Sequence, residues 1–293
     1  MSATRFGANK TGALFMVAAM AAFALEDSLF KAATQTIPIS TALLCFGSLG
    51  FALFAARSAL LGEPVFHPAC FKPTMLVRSA FELMGRLFFA LALAYAPLAS
   101  TSAILQSAPI FVTLGAIFVF GEAVGWRRWL AMGVGFAGVL LIIRPGFESF
   151  AITSLYALLA TIGFAGRDLA TRASPPAMST AQLGSLGFAV LLMAGLVVSL
   201  FETAPTRLPD PASLALTAGA ACVGVLAYAA LTRAMRVGDI GFVAPYRYTR
   251  LLFALVIAFT VFGERPDGLT LLGALVIVLS GAYSFARARS TGG

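Results

Sequence analysis

Apolar runs about as long as a bilayer is thick follow one another along almost the whole chain, separated by short polar breaks. About 20 apolar residues, rising about 1.5 Å each, cross a hydrocarbon core. On that measure the 293 residues hold ten expected transmembrane helices, near 12–34, 39–58, 74–95, 99–120, 127–144, 151–172, 180–201, 212–235, 242–262 and 268–286. Several of the breaks carry Pro, Gly or Asp, residues that end helices and begin turns. Arg5 and Lys10 precede the first run as they would in a signal peptide. No small-residue cleavage site stands in a polar flank and the run continues through Leu29, so it reads as a retained span. The expected fold is all-α and membrane-embedded.

The third run, Met75 to Tyr95, breaks the apolar pattern with Arg78, Glu82 and Arg86. Spaced four apart, they form one stripe on a helix. A charge inside a membrane costs at least about 2.5 kcal/mol, so it usually faces a bundle interior or a water-filled cavity. This run is the clearest sign of a polar path across the membrane. Arg78 lies about one turn from the edge, where its side chain can snorkel to the interface, and is expected to gate or support. Glu82 either pairs with Arg86 or meets a substrate. Arg86 lies near mid-membrane, and its guanidinium can hold a carboxylate or phosphate with two parallel hydrogen bonds.

Other runs carry charges too. Span one holds Glu26, Asp27 and Lys31. Asp27 and Lys31 have the spacing of a helical ion pair, whereas Glu26 has no partner at that spacing. Glu26 is therefore a candidate for proton coupling, for a substrate ammonium, or for pairing with Arg86. In span six Asp168 and Arg172 are spaced to pair, and Arg167 and Asp168 are expected to be gating or structural. Span nine opens with Pro245, Tyr246, Arg247, Tyr248 and Arg250. Tyr246 and Arg250 should share a face, with Arg250 reaching deepest. Gln106 and Tyr228 add neutral polar candidates. Gly133, Gly135, Gly138, Gly273 and Gly281 would let spans five and ten approach closely, and leave monomer or homodimer open.

The chain also repeats itself. Phe120-Gly121-Glu122 closes span four and Phe262-Gly263-Glu264 closes span nine. Glu122 and Glu264 are expected to be structural, with Arg127 or Arg265 as neighbours. Nearly the same offset lays Phe23–Ala33 over Phe164–Ser174, so Asp27 meets Asp168 and Lys31 meets Arg172. Two halves, 1–146 and 147–293, would then hold five spans each. An odd number makes the halves enter the membrane from opposite sides, as inverted-topology repeats around a central cavity. One set of breaks holds Arg5, Lys10, Arg57, Lys72, Arg127, Arg128, Arg172, Arg233, Arg236, Arg287 and Arg289, and the opposite set only Arg144, Arg207 and Arg265. The positive-inside rule puts the first set, and both termini, in the cytoplasm.

Composition narrows the classes. The chain is 60% hydrophobic and 11% charged, against about 25% charged in a soluble domain. The net charge of +8 fits basic residues flanking spans and is not read as a nucleic-acid signal. Cys45, Cys70 and Cys222 are scattered, and His67 with Cys70 falls short of the four ligands structural zinc takes, so no metal or cofactor is expected. No GxxxxGK[ST] loop, paired His, HExxH or nucleophile motif occurs, which sets aside ATP-driven transport and a membrane enzyme.

Ala94 to Gly146 reads AYAPLASTSAILQSAPIFVTLGAIFVFGEAVGWRRWLAMGVGFAGVLLIIRPG. This stretch resembles the drug/metabolite transporter superfamily, in its EamA-domain branch of ten-span carriers. Its SAPIFVTLGAIFVFGE run, the WRRW that follows and GFAGVLLIIRPG carry the likeness. The second half keeps Phe262-Gly263-Glu264 and the Gly-rich last span. The resemblance implies that spans one, three, four, six, eight and nine line the cavity, with five and ten outside it. It also implies a secondary carrier of small polar metabolites in the cell inner (plasma) membrane. The leading expectation is an exporter of amino acids or related compounds, driven by a proton gradient or by exchange. Arg86 would hold the carboxylate and Glu26 or Glu82 the ammonium. The rival expectations are a carrier of anionic organic phosphates or nucleotide-like metabolites, and a non-transporting membrane scaffold.

Overall fold

The computed structural model describes residues 3–121, 125–144, 151–172, 178–202, 209–237 and 243–290. Glu122, Gly146, Ser174 and Arg207 lie outside the described residues, as do the side chains of Arg5, Arg128, Arg172, Arg236, Arg287 and Arg289. Among the described residues every regular element is helical: α1 (Ala3–Ala33), α2 (Ile39–Leu60), α3 (Pro73–Tyr95), α4 (Leu98–Leu105), α5 (Ala108–Phe120), α6 (Trp126–Ile143), α7 (Ser154–Arg172), α8 (Thr180–Ser199), α9 (Pro211–Val237), α10 (Thr249–Thr260) and α11 (Gly268–Ser290). Short 3-10 turns cover Pro68–Phe71 and Ala244–Tyr248.

Among the described residues five stretches are long and apolar enough to cross a bilayer: Asn9–Ala33, Ile39–Leu60, Leu98–Phe120, Thr180–Ser199 and Pro211–Met235. Trp129–Ile143 and Gly268–Tyr283 are shorter apolar helices. The expected fourth span is broken, because Pro109 lacks an N–H and its ring crowds the carbonyl of Leu105. The backbone turns at Gln106 and Ser107 before α5 begins. The ninth segment likewise opens as a 3-10 turn carrying Pro245 before α10 takes over.

Helices distant in sequence pack together: α1 along α9, α3 along α7, α2 along α8 and α6 along α11. The α6–α11 crossing is a backbone contact. A Cβ on Gly138 would stand 2.8 Å from the Gly273 carbonyl oxygen, and one on Gly273 would stand 2.6 Å from that of Gly138. The packing role expected of these glycines follows directly. At the α3–α7 crossing a Cβ on Gly163 would lie 2.5 Å from the Gly85 nitrogen. This close approach places the charged stripe of α3 against α7. The apolar core has two main parts, one built on Phe46, Phe54, Leu93, Phe188 and Leu191, the other on Ile104, Val139, Ile142, Leu251 and Ile277.

At one end of the bundle, helix starts are capped from far along the chain. Pro38 and Pro97 precede α2 and α4 and offer no side-chain cap. Glu202 instead accepts from the N–H groups of Ile39 (2.8 Å) and Ser40 (3.1 Å). Glu264 accepts from those of Leu98 (2.7 Å) and Ala99 (3.0 Å). A carboxylate there satisfies donors the helix leaves free and meets its positive end. Glu264 also lies 3.8 Å from Lys31, so Lys31 fills the place expected of Arg265. Asp267 accepts from the Thr270 N–H (2.9 Å) at the start of α11 and pairs with Arg144. Hydrogen bonds from Arg144 and then Thr270 hold its carboxyl down to about 2. Asp210 accepts from the Ser213 N–H (2.7 Å) at the start of α9, and Ser213 likewise holds its carboxyl below the ordinary range.

Candidate functional site

Four helices bring their charges to the middle of the bundle. Glu82 is the hub of one group. It is 2% exposed, and its Oε2 lies 2.8 Å from Arg78 Nη1. Its Oε1 lies 3.8 Å from Arg86 Nε and 3.8 Å from Arg167 Nη1. Glu82 fits because α8 presents Gly187, where a Cβ would stand 3.2 Å from Oε1. Arg78 does not snorkel: it is buried, and its Nε donates to Thr171 Oγ1 at 3.0 Å. Turning inward lets it compensate Glu82, which burial takes out of reach of solvent. Asp168 takes two hydrogen bonds from Arg167, 3.0 Å from Nε and 2.8 Å from Nη2; its expected helical partner Arg172 has its side chain outside the described residues.

The second group joins α1 to α10. Arg250 Nη2 lies 2.6 Å from Asp27 Oδ2, and its Nε donates to the same oxygen at 3.2 Å. The guanidinium also lies over the rings of Phe23 (5.2 Å) and Phe89 (5.8 Å). Asp27 thus pairs across the bundle and not with Lys31. Lys31 reaches along α1 to donate to the carbonyls of Leu93 (3.0 Å) and Ala96 (2.7 Å), at the end of α3.

Between the two groups lies a cavity of about 30 Å³, lined by Glu26, Asp27 and Arg86 with Phe30, Phe46 and Phe89 among its apolar walls. In this form it has room for no more than a few waters. Glu26 is buried, and its Oε2 has no hydrogen-bond partner. It forms no ion pair with Arg86 among the described residues. Arg86 Nε likewise lacks a hydrogen-bond partner, and its guanidinium lies over the Phe188 ring at 6.0 Å.

The remaining candidates scatter. Gln106, at the break between α4 and α5, donates from Nε2 to the Arg247 carbonyl (3.1 Å), so the two irregular segments meet. Tyr228 packs edge-on to Phe54, with centroids 5.7 Å apart, within electrostatic range of Glu82. Tyr246 is exposed and does not share a face with Arg250, because the 3-10 turn between them rotates residues differently from an α-helix. Phe23, Phe30, Phe46, Phe89 and Thr171 were not distinguished by the sequence, since a phenylalanine facing the cavity is written like one facing lipid. His67 Nδ1 accepts from the Ala69 N–H (3.1 Å), capping the turn at Pro68–Phe71.

The arrangement presents an arginine and a carboxylate to one small cavity, neither hydrogen-bonded by the other, with aromatic walls beside them. Such a site can hold a small molecule with poles of both signs.

Residues 10–144 and 151–285 each match the EamA-like transporter family. An S-adenosylmethionine uptake transporter of Rickettsia bellii is 30% identical over 204 residues, 69% of this chain and 69% of the relative. A riboflavin transporter of Vibrio cholerae is 28% identical over 277 residues, covering 93% of this chain and 92% of the relative. The pseudopaline exporter CntI of Pseudomonas aeruginosa is 27% identical over 272 residues, covering 92% and 94%. With both stretches matched across nearly its whole length, the chain belongs to the EamA-like transporter family within the drug/metabolite transporter superfamily, a family of multi-pass membrane transporters.

Proposed function

We propose that this chain is a secondary carrier of small polar metabolites that works by alternating access. Its substrates would be amino acids or compounds with an amino-acid head, such as S-adenosylmethionine, with export as the working direction. The observation that carries the reading is the small cavity with Arg86 and Glu26 on its wall and no pairing between them. Arg86 is assigned the substrate carboxylate and Glu26 the ammonium. Glu82, facing three guanidinium groups, is assigned to holding Arg86 and Arg167 in place. The Asp27–Arg250 pair borders the cavity, while Gln106, Tyr228 and Tyr246 are secondary candidates for contact. Arg78, Arg167 and Asp168 belong to the gate.

We assign ten spans in two inverted halves, 1–146 and 147–293. Four features support this. The matches divide at 144 and 151. The α1–α9 and α3–α7 pairings exchange with each other under such a symmetry, while α2–α8 and α6–α11 map onto themselves. Gly121 and Gly263 both adopt φ +64 at the corresponding helix ends. The breaks also correspond: Gln106 and Tyr248 stand the same distance before their Phe-Gly-Glu motifs. Discontinuous helices meeting between repeats are where carriers place their sites. The Lys and Arg distribution supports a bacterial inner membrane with both termini in the cytoplasm.

A second reading is an anionic organic phosphate. It is favoured by Arg78, Arg86, Arg167, Arg247 and Arg250 outnumbering the acids Glu26, Asp27, Glu82 and Asp168. Counterflow in proteoliposomes loaded with amino acids, S-adenosylmethionine, riboflavin or sugar phosphates separates the two, and vesicles loaded on one side read the direction. Flux of an amino-acid compound that Arg86→Ala abolishes is expected. Flux confined to phosphate esters, or untouched by Arg86→Ala, would sink the carboxylate-clamp reading.

A further inference from the structure

The two long crossings of the bundle differ in one respect that the repeat makes visible. Glu82 on α3 and Gly224 on α9 stand the same number of residues before their Phe-Gly-Glu motifs. In the register that lays Asp27 over Asp168, Glu26 stands over Arg167. The α3–α7 crossing therefore holds an acid facing a base, with Glu82 and Arg167 3.8 Å apart. At the α1–α9 crossing the base is replaced by Glu26 and the acid by a glycine. The carboxyl group of Glu26 lies against that glycine: a Cβ on Gly224 would stand 3.0 Å from its Cδ and 3.1 Å from Oε2. At this point α9 offers the Glu26 carboxyl no side chain at all.

What surrounds Glu26 does not replace it. Glu26 is 7% exposed, and Oε2 has no hydrogen-bond partner. The charged groups that face it are Asp27 on its own helix, Arg86 on α3 and Arg250 on α10. Arg250 is committed to Asp27 at 2.6 Å. Arg86 is shared with Glu82 and forms no ion pair with Glu26 within 4 Å among the described residues. From α9 comes Gly224, from α2 Leu43 and Phe46, and from α8 Leu191, none of them titratable. An uncompensated carboxylate so deeply buried is costly, and a bound cation would relieve it. A metal ion takes about six oxygen ligands, and the other carboxylate here is already spoken for. In a cavity of about 30 Å³ the cation that fits is a proton.

We propose that Glu26 is the coupling carboxylate of this carrier, binding a proton and the substrate's cationic group in turn. When the cavity is closed and empty the carboxyl group holds the proton. When an ammonium enters, the O–H bond breaks, the carboxylate pairs with the ammonium, and the proton leaves to water on the side then open. Substrate and proton thus move in opposite directions, and occupancy by one excludes the other. This deepens the ammonium role proposed above, but the proton half of it stands apart from any substrate.

Infrared difference spectra of the full chain in lipid nanodiscs, between mildly acidic and mildly alkaline buffer, test that half without a substrate. A protonated-carboxyl band is expected in the wild type, lost in Glu26→Gln and displaced in Glu26→Asp. A band unchanged in both variants, or absent from the wild type, would overturn the proposal. In proteoliposomes S-adenosylmethionine is the substrate used. Wild-type net flux should vary with pH and be driven by a pH gradient. Glu26→Gln should carry slower flux that no longer responds to pH, and Glu26→Gln that still accumulates substrate against a gradient also defeats the proposal. Absence of S-adenosylmethionine flux in the wild type, with the Glu26 band present, would fault the substrate assignment and leave the proton site standing.

Discussion

Lys31 of α1 and Glu264, which follows α10, stand 3.8 Å apart, and the turn joining α3 to α4 is held between them. Lys31 donates to the last carbonyls of α3 while Glu264 accepts from the first N–H groups of α4. The pair therefore ties α1, α3, α4 and the end of α10 together at one mouth of the bundle. Glu264→Gln should weaken this closure by about 1–2 kcal/mol, the usual worth of a helix cap. In a background without Cys45, Cys70 and Cys222, a cysteine at Ser100 should then react faster with an impermeant thiol reagent. An unchanged rate would mean that apolar packing alone holds this mouth shut.

Glu82 has three guanidinium groups within 4 Å and almost no solvent. Removing one member of a buried ion pair costs about 3–5 kcal/mol, because the others are left uncompensated. Glu82→Gln should therefore lose thermal stability in detergent far more than Arg78→Gln, which leaves Arg86 and Arg167 to answer Glu82. Equal stability of Glu82→Gln and wild type would free Glu82 from its supporting role and return it to the list of substrate contacts.

The helices were legible where the apolar run is long and bounded by turn residues, and so were the charges that interrupt them. Partner choice was not. Spacing along one helix pairs Asp27 with Lys31, yet Asp27 meets Arg250 from a helix more than two hundred residues away. The i, i+4 rule describes an isolated helix in water. In a bundle, a buried charge is answered by whatever faces it across a crossing, which depends on where Gly85, Gly163 and Gly187 let the backbones approach. Arg78 fails the same way: its position near the edge suggested snorkelling, but a carboxylate one turn deeper draws it inward. The break at Gln106 did have a signal in Pro109, whose effect on the preceding turn outweighs the apolar run on either side.

The Asp27–Arg250 pair joins α1 to α10 beside the cavity, so its two members should act as a unit. Asp27→Asn and Arg250→Gln should each destabilise the protein, and the double variant should lose less than the sum of the two. Arg250→Lys should not restore the wild type. A lysine lacks the planar group that lies over Phe23 and Phe89 while reaching Asp27 through two nitrogens. A double-mutant cycle on thermal unfolding reads the coupling, and strict additivity would show that the two residues do not depend on each other.

Asp267 gives a pH dependence outside the membrane. Its carboxyl is held at about 2 by hydrogen bonds from Arg144 and Thr270, below an ordinary value of about 3.9. A depressed carboxyl stabilises the fold fully above its ordinary value, and that contribution disappears as pH falls from about 4 toward about 2. The side chain is 50% exposed, so solvent screening limits the contribution to under about 1 kcal/mol. Asp267→Asn keeps an acceptor for the Thr270 N–H and removes only the charge that meets Arg144. It should therefore unfold slightly earlier than the wild type at neutral pH, and the difference should vanish in acid. A difference that persists at acid pH would assign the effect to the helix cap and not to the ion pair.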